Sequence, residues 1–326
     1  MIDQIIIIKS YNDEDTIKRC IKSVISQKNF NDLKLYIIDD GSSDKTQDII
    51  KSFKNYFFNM DLRQEKLGPS SNLNDYNKII KNYSNGYVVI LSGDDYFPID
   101  KTNHHEEIFS NKDIGLHFGN GFVKNTNNDV TRIYRNKIFL NKDNIYVNLN
   151  KKIYLDLIEN NYIPSFASAY SIKYLKKIGG FKCIPNNNLS VHFSTICILS
   201  TISKFFYTNH NLGYLITTDS QKTLKRISEQ ILLDYEFIKY FNEYLYQKAL
   251  INILQKKILF YKSLKFKNYI YFNNLKKSII DRKLLLLLSN FIKIFVFPSS
   301  LLIKIKSILI LMLYPFPNIF KKIFIF

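Results

Sequence analysis

Residues 87–95 read Tyr87-Val88-Val89-Ile90-Leu91-Ser92-Gly93-Asp94-Asp95. A run of five apolar residues predicts a strand buried on both faces, as in a parallel sheet. The strand delivers two adjacent carboxylates into the following loop, and no basic residue lies within several positions to neutralise them. Like charges held so close repel, and a bound divalent cation is the simplest way to stabilise the pair. Oxygen-only ligation selects a hard ion, Mn²⁺ or Mg²⁺, completed by phosphate oxygens and water.

Upstream, the chain alternates strand and helix patterns. Ile5-Ile6-Ile7-Ile8 predicts a first buried strand, followed by the polar turn Ser10-Tyr11-Asn12-Asp13. Ile17, Cys20, Ile21, Val24 and Ile25 recur at helical spacing and give one apolar stripe. Leu33–Ile38 predicts a second strand, running into Asp39-Asp40-Gly41-Ser42-Ser43-Asp44, with Ser43 as N-cap of the next helix. Turn formation explains this second acidic pair as readily as binding does. A weaker strand is expected at Met60–Arg63, then the loop Gly68-Pro69-Ser70-Ser71, then a helix over Asn72–Tyr83 that stops at Asn85-Gly86. Strands separated by helices of this length imply right-handed βαβ units. Ligands bind beyond the carboxyl ends of such strands, so Tyr11, Asp39, Asp40, Asp94 and Asp95 should surround one crevice. No glycine-rich phosphate cradle of either common spacing is present. The carboxylates therefore suggest metal-assisted departure of a nucleoside diphosphate.

Four stretches, in this order and spacing, resemble family 2 glycosyltransferases of the GT-A fold. They are Ile8-Lys9-Ser10-Tyr11-Asn12, Ile25-Ser26-Gln27, Ile37 through Asp44, and Gly86 through Asp95. The resemblance covers about the first hundred residues, and Ile178-Gly179-Gly180-Phe181 resembles the turn that opens the acceptor-side half. It implies an α/β fold: a Rossmann-like, mixed, mostly parallel sheet flanked by helices, here followed by a helical basic C-terminal region. It further implies a metal-dependent hexosyltransferase of the bacterial surface-polysaccharide type. Such an enzyme moves a sugar with inversion from a nucleotide-sugar donor, UDP-linked, to a saccharide or lipid-linked glycan. By the same resemblance Ser10 and Tyr11 belong to the donor site, with Tyr11 against the nucleobase. Asp40 accepts from the base with Asp39 beside it, Asp94 meets the ribose or sugar, and Asp95 binds the metal. Read without the family, Tyr11 serves equally as packing.

Two departures stand out. The family places an acidic base shortly after the Gly-Gly-Phe turn, yet residues 181–193 contain no Asp or Glu. His192 is the group in that stretch that titrates near neutral pH, and imidazole is capable of general-base work. A structural histidine is the competing reading, and Asp156, Glu159 or Asp219 are alternatives from outside the motif. Many relatives also carry a phosphate-meeting Arg in the loop that here reads Gly68-Pro69-Ser70-Ser71-Asn72. Ser70, Ser71 and the helix N-terminus are neutral donors in its place.

Composition sets the frame. With 46% hydrophobic residues the chain is globular rather than disordered. Of 46 Lys+Arg and 28 Asp+Glu, residues 231–326 hold 16 and 4, so the last third carries much of the net +18. From Leu284 onward apolar runs alternate with Lys, and no window of ~20 residues is free of Lys or Pro. That pattern suits a segment lying in an anionic membrane interface, or else a helix pair with a solvated face. Its aromatics are nearly all Phe among aliphatics, which disfavours nucleic acid as partner. Three scattered cysteines and an N-terminus without a signal-peptide pattern lead us to expect a cytoplasmic protein, peripheral on the inner face of the cell membrane. The expected organisation is a nucleotide-sugar-binding half (1–100), an acceptor-side half (101–225) and a basic, membrane-associating region (226–326). The alternative function is a nucleotide-sugar-binding member that lacks a catalytic base. A nucleotidyltransferase would need an early basic nucleotide-gripping loop, which is missing.

Overall fold

The computed structural model describes residues 2–68, 71–125, 131–133, 145–147, 162–183, 191–217 and 239–248, with single positions at 153, 157, 256 and 307. Compact units span Met1–Ser220 and Gln221–Phe326. In the first, strands β1 (Gln4–Ser10), β2 (Leu33–Asp39), β3 (Asn59–Leu62) and β4 (Tyr87–Ser92) lie in the order β3-β2-β1-β4 and are all parallel. The four consecutive isoleucines of β1 are fully buried. Helices cover both faces of this central strand, which explains a run without polar alternation.

Helix α1 (Ile17–Ile25) buries Ile17, Cys20, Ile21 and Val24, the stripe expected from their spacing. These side chains join Ile6, Ile8, Leu35, Ile37, Val89 and Leu91 in one core. Burial of each such side chain is worth about 1.5–3 kcal/mol. Helix α2 spans Thr46–Ser52, and α3 (Asn72–Ile80) is shorter than its pattern suggests. Ser43 does not cap α2; Asp44 Oδ1 accepts the Thr46 N–H at 2.9 Å instead.

Beyond β4 the sheet turns mixed, as expected. After α4 (Lys101–Asn111) come β5 (Leu116–Asn125), β6 (Thr131–Ile133), β7 (Ile145–Val147) and β8 (Ser168–Ser171). Helices α5 (Ile172–Lys177) and α6 (Val191–Leu199) lead to β9 (Phe205–Thr217). The order continues β4-β8-β5-β9-β7, with β6 on β5. β8 runs antiparallel to β4 over only Tyr87↔Ser171 and Val88↔Tyr170. The ladder therefore covers only the start of β4, and the carboxyl end of β4 lies beyond it, next to the switch in chain direction. That is where an open α/β sheet forms a crevice.

In the second unit, residues 239–247 are helical, with Phe241 and Leu245 buried four residues apart on one face. Asn242 Nδ2 donates to the Lys256 carbonyl at 3.0 Å. The segment from Leu284, read above as membrane-seeking, lies outside the described residues except Ser307. Among the described residues no helix is long and apolar enough to cross a membrane.

Candidate active site

Register places the polar strand ends together. Ser10 pairs with Asp39 across β1–β2, and Lys9 pairs with Ser92 across β1–β4. The loops after β1, β2 and β4 consequently open on one side of the sheet, and they carry all the donor residues expected from the sequence.

Asp39 is fully buried, and both its carboxylate oxygens are used locally. Oδ1 accepts the Ser42 N–H at 2.9 Å and Gln47 Nε2 at 2.7 Å, while Oδ2 accepts the Ser42 hydroxyl. This is the turn-forming role that the Asp-Gly-Ser pattern allows. Gly41 follows with φ +77°, and a Cβ there would crowd the backbone of Glu65 and Lys66.

Asp40 faces the other way. Its Oδ1 accepts from Arg63 Nη1 at 3.0 Å and from the Leu67 N–H at 3.2 Å; Oδ2 accepts the Gly68 N–H at 2.8 Å. Lys9 Nζ stands 3.9 Å from the same carboxylate. Tyr11 is 37% exposed, and Lys66 Nζ caps one face of its ring at 3.5 Å from the centroid. Ser10 is buried, its hydroxyl donating to Asp13 Oδ2 at 2.9 Å.

Gly93 seats the acidic loop on that pair, since a Cβ at 93 would run into the Asp13 carboxylate and the Ser10 hydroxyl. Asp13 thus joins Asp94 and Asp95 as a third carboxylate of the crevice. Burial pushes its pKa up to about 6, against the pull of the Tyr11 N–H and Ser10 hydroxyl, with Asp94 and Asp44 adding to the rise. Sequence reading missed it: Asp13, Glu14 and Asp15 follow one another, and spacing alone does not say which turns inward. Asp95 is almost fully buried. Burial raises its pKa well above the carboxylate range, Asp94 raises it further, and Asp13 adds a smaller push. Two features oppose this: the Ile216 N–H, which donates to Oδ1 at 3.2 Å, and the buried ammonium of Lys101. Lys101 is six residues along the chain and reaches beneath the loop. Its Nζ donates to the Phe166 carbonyl at 2.6 Å and lies 3.9 Å from the centroid of the Phe97 ring.

A buried carboxylate crowded by two others, with one N–H donor, fits a hard divalent cation. Among the described residues no three His, Cys, Asp or Glu side chains are grouped to hold one unaided. Such an ion would take its remaining ligands from phosphate and water.

His192, at the start of α6, sits among aromatics. Its Nδ1 is 3.1 Å from the Tyr170 hydroxyl, and its ring lies 6.1 Å from that of Tyr76 and 6.0 Å from that of Tyr170. Burial lowers its pKa to about 4, so the imidazole is neutral at physiological pH. Gly179 and Gly180 both take positive φ, and Asn77 of α3 holds the turn through bonds to the Phe181 N–H (2.7 Å) and carbonyl (3.2 Å). Ser70, Asp156, Glu159 and Asp219 lie outside the described residues.

The model of glycosyl transferase family 2 matches residues 5–179, more than half of the chain. The chain belongs to that family. Over 95 residues this glycosyltransferase is 32% identical to the poly(ribitol-phosphate) beta-glucosyltransferase of Bacillus spizizenii. That match covers 28% of the transferase and 14% of the relative's length. Among solved structures it is similar to S. aureus TarS 1-349 in complex with UDP, at TM-score 0.52 and 12% identity, over 85% of this chain and 82% of that one. The TarS 1-349 complex with UDP-GlcNAc gives TM-score 0.53 and 13% identity, over 88% and 89%. At such identity the likeness is one of fold, and it identifies the sheet as the GT-A architecture.

Proposed function

We propose that this glycosyltransferase moves a hexosyl group, with inversion, from a UDP-linked sugar to a saccharide or lipid-linked saccharide during cell-surface polysaccharide synthesis. The observation that carries this reading is the Gly93–Asp95 loop: a buried carboxylate crowded by two others, on the same strand ends as Tyr11 and Asp40. The similar proteins, one a poly(ribitol-phosphate) glucosyltransferase and one solved with UDP or UDP-GlcNAc, support the choice of pathway and donor.

In this reading the base lies along the free face of Tyr11 with its edge at Asp40, and Asp94 receives the ribose. Asp95 would hold Mn²⁺ or Mg²⁺, an ion that would supply Lewis-acid stabilisation of the diphosphate's charge. The acceptor hydroxyl approaches from the face opposite the diphosphate, so that one in-line displacement inverts the anomeric carbon. His192, neutral at physiological pH, accepts the hydroxyl proton. The basic segment from Leu284 holds the protein on anionic lipid at the inner face of the cell membrane, near a lipid-linked acceptor.

One observation favours a second reading. A histidine whose pKa lies at about 4, engaged by Tyr170, is a weak base, which suits a donor-binding member without turnover. A panel of nucleotide sugars, assayed with and without Mn²⁺ or Mg²⁺ and with membrane extract as acceptor source, separates the two. Metal-dependent release of nucleoside diphosphate from one donor, abolished in Asp95→Asn, is the expected result. Donor binding with no turnover would sink the catalytic reading. In the same preparation, loss of vesicle association on removing residues after Arg282 supports the membrane role, and unchanged association refutes it.

A further inference from the structure

Arg63, just past β3, has no role in the chemistry described so far, yet four elements converge on it. Its Nη1 donates to Asp40 Oδ1 at 3.0 Å and to Ser71 Oγ at 2.9 Å. Its Nη2 donates to Asp75 in the first turn of α3 and, at 3.4 Å, to Asp61. The backbone is fixed as well: the Arg63 N–H donates to the Asp39 carbonyl at 3.1 Å, and its own carbonyl accepts Gln47 Nε2 at 2.8 Å. Lys9 reinforces the same cluster, with Nζ 2.7 Å from Asp75 and 3.2 Å from the Ser71 hydroxyl. The side chains of both cations are only 13% exposed.

Two cations and two carboxylates, Asp40 and Asp75, balance in charge, so the cluster adds no net attraction for an anion. Burying four charges is also weak support for stability, because an apolar cluster of the same volume often serves as well. What the arrangement does provide is orientation. A planar fork fixed at both ends sets the direction of a buried carboxylate better than a flexible ammonium does. The carboxylate it sets is Asp40. Among the described residues the guanidinium makes no hydrogen bond to Asp13, Asp94 or Asp95, which places its effect on the base side of the crevice. Its bond to Ser71 also puts it against the loop 68–72, whose sequence lacks an arginine.

We propose that Arg63 is the positioning residue for nucleobase recognition: its fork, backed by Lys9 and Asp75, keeps the Asp40 carboxylate aimed at the base. This rests on the donor-site reading above. Isothermal titration of the full chain with two probes, UDP and inorganic pyrophosphate, each with Mn²⁺, tests it in the wild type, Arg63→Met and Arg63→Lys. UDP affinity should fall about tenfold or more in Arg63→Met, the scale of one lost charge-assisted bond. Pyrophosphate affinity should stay unchanged, and Arg63→Lys should recover part of the loss.

Unaltered UDP affinity in Arg63→Met overturns the proposal. So does an equal loss for both probes, which would make Arg63 a phosphate ligand or a general structural support. Should Arg63→Met fail to fold by circular dichroism, Arg63→Lys decides: weaker UDP with unchanged pyrophosphate supports the proposal, and wild-type UDP affinity overturns it. Wild-type protein that binds neither UDP nor GDP nor ADP refutes the donor site itself, and this inference with it. Nucleotide binding that is indifferent to Arg63 refutes this inference alone.

Discussion

Asp39 and Asp40 are adjacent in sequence and opposite in use. The first is consumed by its own turn, through the Ser42 amide and hydroxyl and Gln47; the second is held by Arg63 and the amides of Leu67 and Gly68 on the neighbouring segment. Replacing Asp39 with Ala leaves the Ser42 amide without its acceptor and Gln47 with only the Arg63 carbonyl, at about 1–3 kcal/mol for each unsatisfied N–H. A lower urea midpoint for Asp39→Ala is therefore expected; an unchanged midpoint would refute the turn role. The sequence made the carboxylate pairs legible because each follows an uninterrupted apolar strand. It did not make legible which member of a pair turns inward. That depends on backbone angles such as the φ of +52° at Asn12, which no periodicity encodes. Asp13 escaped notice for the same reason, hidden in a run of acids.

The apolar centres of β1, β2 and β4 were legible, since strand segments buried on both faces are apolar, while β1 runs on through Lys9 and Ser10 past its four isoleucines. Helix ends were less so. α3 stops at Ile80, while Tyr83 beyond it still enters the core and brings its hydroxyl to that of Tyr36 at 2.5 Å. An apolar residue at helical spacing thus extended the expected helix past its end. β9 was not legible at all as a partner of the site. Its pairing with β5 joins segments about ninety residues apart, and register over that distance is set by packing rather than local pattern. Yet β9 finishes the acidic loop: Tyr96 and Tyr214 exchange both backbone hydrogen bonds, and the Ile216 amide donates to Asp95. Proline at this position, one residue from the end of β9, has no N–H and removes that donor. Ile216→Pro should weaken Mn²⁺-dependent UDP binding about tenfold or more; undiminished binding would show that the Asp95 contact is dispensable.

Across the whole first unit, stability should depend on two buried histidines that the proposed chemistry does not use. His105 and His117 face each other, Nδ1 to Nδ1, at 2.8 Å, and His117 Nε2 meets the Thr208 hydroxyl at 3.1 Å. Burial lowers the pKa of His117 to about 3 and that of His105 well below its ordinary value. Unfolded imidazoles titrate near 6.5. Below that pH the unfolded chain therefore binds more protons than the folded one, and stability falls as the medium acidifies. The slope is about 1.4 kcal/mol per pH unit for each histidine. The raised carboxyls Asp13 and Asp95 titrate in the opposite sense over the same range, so the comparison of wild type with His117→Asn isolates the histidine contribution. Urea titrations at pH 7.5, 6 and 5 should lose stability on acidification less steeply in His117→Asn than in the wild type; identical slopes would contradict the burial. The clasp of β9 on the acidic loop bears also on descent. Residues 1–100 hold every expected donor contact, yet the hydrogen bond to Asp95 comes from position 216. The two halves are therefore not interchangeable cassettes. A chimera that exchanges only the first hundred residues with a relative inherits an acidic loop fitted to another protein's strand. Donor choice and acceptor choice in this lineage should then travel together, changing by point substitution rather than by shuffling of halves.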